Sequence, residues 1–177
     1  ILTNRSLLKK GLAIDRLIQN LIKEPGIDAR SLYVGDRNAI LIYARASAYG
    51  EDYKTKVQCP ACGEVNKIIF DLSDHEYYSG DDFDMNDITR NTDYTFITTL
   101  PFSKLQVTFA PLTGLDESKM LKGDTAKEMT SNLITKQLMC CIKDVNGYSD
   151  EKTIKHVSNN LIAKEAKFLR AAINKVS

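Results

Sequence analysis

The chain has no surplus of either charge, no long apolar run and only two histidines. Each shortage removes a class of function. Lys plus Arg (24) nearly balances Asp plus Glu (23), and the basic residues are scattered along the sequence. No cationic stripe of the kind that displaces counterions from nucleic acid is present, so nucleic acid is not expected as a partner. No apolar run approaches the length that spans a bilayer, and the N-terminus lacks the charged-then-apolar order of a secretory signal, so no membrane partner is expected and a cytosolic fate is the default. His75 lies in an acidic stretch and His156 in "EKTIKHV". Neither stands at a telling distance from a nucleophile, so no catalytic residues can be assigned. "YVGDRNAIL" holds a lone glycine and no Gly-x-Gly or Gly-Lys-Ser/Thr element, which excludes a phosphate cradle. Asp81, Asp82, Asp84 and Asp87 lack the central Gly and final Glu of a calcium loop and read as a solvated face. Four cysteines, two of them adjacent (Cys140 and Cys141), do not make a disulfide scaffold, and all four are read as reduced.

What remains is an ordinary globular composition: 177 residues, 43% hydrophobic and 27% charged. That suits a single domain over residues 1–177. The chain starts with Ile and passes at once into a helix-like pattern, which suggests an upstream segment missing from the N-terminus. Thr3 or Asn4 can cap a short helix ending near Gly11. Leu12, Ile14, Leu17, Ile18, Leu21 and Ile22 then form an apolar stripe at helical spacing, stopped by Pro25-Gly26. Gly35 and Asp36 open a further helix whose Ala39, Ile40, Tyr43, Ala44 and Ser47 are expected to face the core, with Gly50 closing it.

From residue 51 the period becomes alternating. "YKTKVQ" and "VNKIIFDL" flank "CPACGE", which predicts a hairpin arm over 51–74 with both thiols in its turn. Residues 75–93 read as an acidic surface loop with at most a short helical turn. "YTFITTL" and "KLQVTFAPL" predict a second hairpin around a Pro-Phe-Ser turn, with Leu105, Val107 and Phe109 on its buried face. "DESKMLKG" and "TAKEMTSNLITKQLMCCIKDV" read as helix, the latter with Met129, Leu133, Leu138 and Cys141 inward. Asn146-Gly147 marks a turn, Ser149 a helix cap, and Asn159-Asn160 a break between two terminal helices. The class is therefore α+β: helical N- and C-terminal parts around antiparallel hairpins, one carrying a Cys-x-x-Cys turn like a zinc knuckle.

Cys59 and Cys62 are the only candidate metal ligands, and zinc the only candidate cofactor. A Cys-x-x-Cys turn sends two sulfurs to one side and supplies half of a tetrahedral site. The other half is not evident. Twelve residues separate Cys62 from His75, a finger-like gap, but no second His follows at the required spacing. Cys140 and Cys141 point about 100° apart on a helix and are poorly placed to share an ion. A thioredoxin-type centre needs the motif to open a helix, whose end lowers the thiol pKa. Here a strand pattern follows. A tight turn with reduced thiols and a metal completed by other residues or a partner chain both remain open.

"ILTNRSLLKKG", "VGDRNAILIYARASAYG" and "CPACGEVNKIIFDLSD", in this order, resemble the baseplate hub family of T-even-type contractile-tailed bacteriophages, which includes hub and hub-assembly proteins. The resemblance runs from Ile1 to about Asp74 and continues more loosely through "VTFAPLTGLDE" and "AKEAKFLRAAI". It implies a non-enzymatic structural or assembly component of the tail baseplate, with other phage baseplate and hub proteins as partners in a symmetric hetero-oligomer. The implied location is the host cytoplasm during assembly and the virion tail baseplate where the protein is retained. Tyr49, Tyr53, Phe70, Tyr77 and Tyr78 beside the hairpin offer contact area. The alternative readings are a zinc-ribbon-type adaptor for protein or nucleic acid and, third, a thiol oxidoreductase.

Overall fold

The alternation in "TFITTL" and "LQVTFA" places Phe96, Thr98 and Leu100, then Val107 and Phe109, on one side of two adjacent strands, and that side is buried. The computed structural model describes residues 12–74, 87–120 and 126–176, with side chains in the helix beginning at Ala126 described from residue 133. The elements in chain order are α1 (Ala13–Leu21), α2 (Val34–Tyr49), β1 (Asp52–Gln58), β2 (Val65–Asp71), β3 (Ile88–Arg90), β4 (Phe96–Thr99), β5 (Gln106–Phe109), α3 (Gly114–Met120), α4 (Ala126–Cys141), β6 (Ile142–Val145), α5 (Glu151–Asn160) and α6 (Ala163–Lys175). This is the mixed α+β class expected. The expected cap at Thr3 or Asn4, the "LTNRSLLKKG" motif, His75, Tyr77, Tyr78, Asp81, Asp82 and Asp84 lie outside the described residues, as does the Met129 side chain. Among the described residues no helix is long and apolar enough to cross a membrane.

The chain divides into two compact units, Ile1–Pro25 with Gly35–Asp81 and Gly26–Val34 with Asp82–Ser177. The second unit holds a four-stranded antiparallel sheet in the order β3-β4-β5-β6. Phe96 pairs with Phe109 and Thr98 with Val107 in register, and the two phenylalanine rings stack with centroids 5.8 Å apart. A bulge between Thr108 and Phe109 brings Ile142 opposite Phe109. Helix α6 adds Leu169, Ala172, Ile173 and the following Val176, at spacings of three and four, to one cluster with Leu138 and Cys141 of α4. Each fully buried Leu, Ile or Phe contributes about 2 kcal/mol.

Several polar groups that enter this unit find partners, whereas Ser158 Oγ and Arg170 Nε are buried without a hydrogen bond among the described residues. Thr98 Oγ1 donates to the Asp87 carbonyl at 2.8 Å. Glu165, 3% exposed, accepts the backbone N–H of Phe102 at 3.1 Å and of Ser103 at 2.6 Å. It thereby pins the Pro-Phe-Ser turn of the β4–β5 hairpin. Desolvation alone would raise the Glu165 pKa, but the Ser103 and Phe102 hydrogen bonds prevail and lower it. Asp116 and Thr113 cap α3 reciprocally: Thr113 N–H and Oγ1 donate to Asp116 Oδ2 at 3.1 and 2.8 Å, and Asp116 N–H donates to Thr113 Oγ1 at 3.3 Å.

Several local expectations change on contact with the fold. Residues 142–145 are strand, because pairing with β5 takes over from the helical pattern of "LMCCIKDV" without any Gly or Pro to announce it. Ile88–Arg90 is an edge strand inside the stretch read as loop. Leu133 is 45% exposed and so does not join the inner face of α4, whereas Leu138 and Cys141 do. The cap of α5 is Asp150, accepting from Thr153 N–H at 2.9 Å, one residue after the expected Ser149. The Asn146-Gly147 turn and the helix break after Asn160 are as expected, both turn residues having positive φ.

The first unit is built differently. Among its described residues only Ala13, Ile18 and Arg37 are buried. Arg37, 6% exposed, meets Asp15 Oδ1 at 2.6 Å and ties α2 to α1. Removing one partner of such a buried pair typically costs about 3 kcal/mol. Tyr43 is 71% exposed. Instead of facing a core, Ala39, Ile40, Tyr43, Ala44 and Ser47 line an open apolar groove of about 650 Å³ with Leu21. The stripe is a real helical face, but none of the described residues of this unit covers it.

Candidate functional site

Helix α2 ends at Gly50, whose φ of +87° turns the chain back while its N–H donates to the Ala46 carbonyl at 2.8 Å. Arg45 sits at this corner. Its guanidinium lies 4.9 Å from the Tyr49 ring centroid and 5.8 Å from that of Tyr53, and Nη1 donates to the Gly50 carbonyl at 3.3 Å. One cation therefore joins the end of α2 to the base of the hairpin. Leu72 N–H closes the base by donating to the Glu51 carbonyl at 2.8 Å.

Strands β1 and β2 then pair antiparallel over seven positions, from Asp52 opposite Asp71 to Gln58 opposite Val65. Directly opposed residues share a face. Tyr53 with Phe70, Thr55 with Ile68 and Val57 with Asn66 make a largely apolar face, and Asp52 with Asp71, Lys54 with Ile69, Lys56 with Lys67 and Gln58 with Val65 a face of mixed charge. Only Thr55 and Ile68 are half-buried; every other residue of the two strands is exposed. Extended over seven residues, the ladder is roughly 20 Å long.

At its end, Cys59 N–H donates to the Glu64 carbonyl at 2.8 Å and Gly63 N–H to the Cys59 carbonyl at 2.9 Å. Gln58 Nε2 braces the turn by donating to the Gly63 carbonyl at 3.1 Å. Gly63 has φ +75°, and a Cβ added there would meet only Gln58 Nε2 at 3.8 Å, so glycine is needed for the backbone conformation and not for room. Cys59 is half-buried and Cys62 exposed. The Cys59 thiol is held below its ordinary pKa by hydrogen bonds from the backbone N–H groups of Cys62 and Ala61, then by the Cys62 side chain, against a smaller opposing effect of burial. The lowering thus comes from a nest of turn amides. No helix end takes part, since β2 follows the motif.

Cys140, Cys141 and His156 belong to the other unit. Burial raises the Cys141 pKa to about 12 and also raises that of Cys140, so neither is prepared as a thiolate ligand. His156 is exposed on α5, with Nδ1 3.5 Å from Asn160 Nδ2. Among the described residues no three His, Cys, Asp or Glu side chains gather closely enough to hold a metal ion. Cys59 and Cys62 are brought near one another in the one turn, as the sequence indicated.

Sequence reasoning missed Arg45, Arg37 with Asp15, and Glu165. Glu165 was findable, because it stands one turn before Leu169 on the apolar face of α6. The Asp15–Arg37 pair joins residues 22 apart and carries no local signal.

A family model described as T4 bacteriophage base plate protein matches residues 7–155. No curated protein and no solved structure matches the chain.

Proposed function

The chain belongs to the T4 bacteriophage base plate protein family, and from that premise we propose that it is a non-catalytic structural or assembly component of the hub region of a contractile-tail baseplate. It works through protein–protein contacts, and the β1–β2 hairpin is its contact arm. Other baseplate and hub proteins are its partners, within a symmetric hetero-oligomer formed in the host cytoplasm and carried into the virion tail. The family match crosses both compact units, which supports their acting as one domain over 1–177.

The observation that carries this reading is the exposure of the hairpin. A two-stranded ladder is marginally stable in water on its own. This one leaves Tyr53, Val57 and Phe70 exposed on one face, and among the described residues its two strands are joined by no third. The edges of such a ladder invite a further strand or a covering surface. No nucleophile, base and oxyanion donors converge in the described residues to suggest catalysis.

Phe70→Asp tests the assignment. In infected cells the tagged variant should recover hub and baseplate proteins at least about tenfold less efficiently than the parent chain, as expected for an aromatic contact anchor. Its far-UV circular dichroism should be unchanged. Recovery equal to the parent would remove the hairpin from the contact.

A further inference from the structure

We propose that two copies of this chain join at their hairpin tips around one zinc-class divalent ion, held by Cys59 and Cys62 of each copy. The inference rests on reading the hairpin as a contact element and names one of its partners.

The tip is prepared for a soft cation by its backbone. The turn from Cys59 to Glu64 is closed by two backbone hydrogen bonds and braced by Gln58, so the two sulfurs are presented from a fixed frame. Both cysteines of this turn are free thiols, Cys59 half-buried and Cys62 exposed, and a metal takes each as its thiolate. Zinc takes four such ligands in a closed tetrahedron. One chain brings two, and no third candidate stands beside them among the described residues.

A second copy is the occupant whose chemistry is already known to fit. A two-fold contact uses the same patch on both partners and so presents every ligand twice, turning two thiolates into four without any new residue type. The tip sits at the free end of a ladder exposed on both faces, with Cys62 itself exposed, so another tip can approach it. The face carrying Tyr53, Val57, Ile68 and Phe70 is apolar on each copy and can be covered by its counterpart. Lys56 and Lys67, opposed on the other face, offset the double negative charge of a four-thiolate zinc centre.

The full chain, reduced and stripped of metal with a chelator, is titrated with zinc chloride and followed by native mass spectrometry and light scattering. The expected product is a dimer containing one zinc per two chains, the ratio set by the four-ligand requirement. Cobalt in place of zinc should reach its endpoint at the same ratio and give the sulfur-to-metal charge-transfer and d–d bands of a tetrahedral four-sulfur site. Cys62→Ser, at an exposed position, should lose both metal and dimer, with unchanged circular dichroism. Phe70→Ser should still form the four-sulfur cobalt spectrum but weaken the zinc dimer by about tenfold. One zinc per monomeric chain, no zinc uptake by the parent chain, or a Cys62→Ser variant that still dimerises with zinc would overturn the proposal. Parent chain that fails this titration yet still recovers hub proteins would strike the zinc dimer alone and leave the contact role standing.

Discussion

The two units spend their apolar residues in opposite ways. In the sheet unit, twelve buried residues form one cluster between β4, β5, β6 and the helices α4 and α6. In the helix-and-hairpin unit, the comparable side chains (Tyr43, Val57, Ile69, Phe70) are exposed. The described part of that unit depends on a buried ion pair, one cation over two aromatic rings and a backbone ladder. A chain with an average hydrophobic content thus concentrates its packing in one region and leaves the other with surface to offer. The difference is what one expects of a component that must be folded before assembly and bound after it.

The comparison breaks first at its phenylalanines. Phe109 is fully buried in the sheet core, and Phe109→Ala should cost about 4 kcal/mol in urea denaturation. Phe70→Ala, on the exposed hairpin, should cost no more than about 0.5 kcal/mol. Similar losses at the two sites would mean that the hairpin is packed like the core, contrary to the exposure described above.

A smaller effect separates the sheet unit by pH. Glu165, Asp116 and Asp150 all have lowered pKa values in the folded chain. For Asp116, the burial that would raise it is outweighed by hydrogen bonds from Thr113 and by Lys143 and Lys119. At Asp150 the Thr153 hydroxyl and N–H do the lowering. Because the unfolded chain binds these protons more readily, the stability they supply is complete above their ordinary values of 4.5 for Glu and 3.8 for Asp. It is lost as pH falls through the lower folded values. The urea midpoint of the sheet unit should therefore fall as pH drops below about 4.5, the unfolded Glu value. In Glu165→Gln that fall should be shallower. A slope identical to the parent would show that Glu165 does not anchor the Phe102–Ser103 turn as its hydrogen bonds indicate.

The hairpin and its tip were legible in the sequence because every cue there is local. The alternation on either side of "CPACGE" sets the ladder, and Pro60 and Gly63 set the turn. The β4–β5 hairpin was legible for the same reason. Strand β6 was not, since Ile142–Val145 continues straight out of α4 and becomes strand only by pairing with β5 across a bulge. Three-residue β3 is too short to show a period. Tyr43 teaches a separate lesson: helical spacing identifies a shared face, but whether that face is covered depends on what the rest of the chain brings to it. The two thiols of the tip were equally visible, as a pair sharing one turn.

Hydrogen exchange across residues 52–71, compared between the free chain and the same chain in purified baseplate assembly intermediates, tests the contact role most directly. Ladder amides should exchange quickly in the free chain and slow by at least about tenfold once partners cover them, while β4 and β5 amides stay equally protected in both. Unchanged exchange in the hairpin, with new protection confined to the sheet unit, would contradict the account.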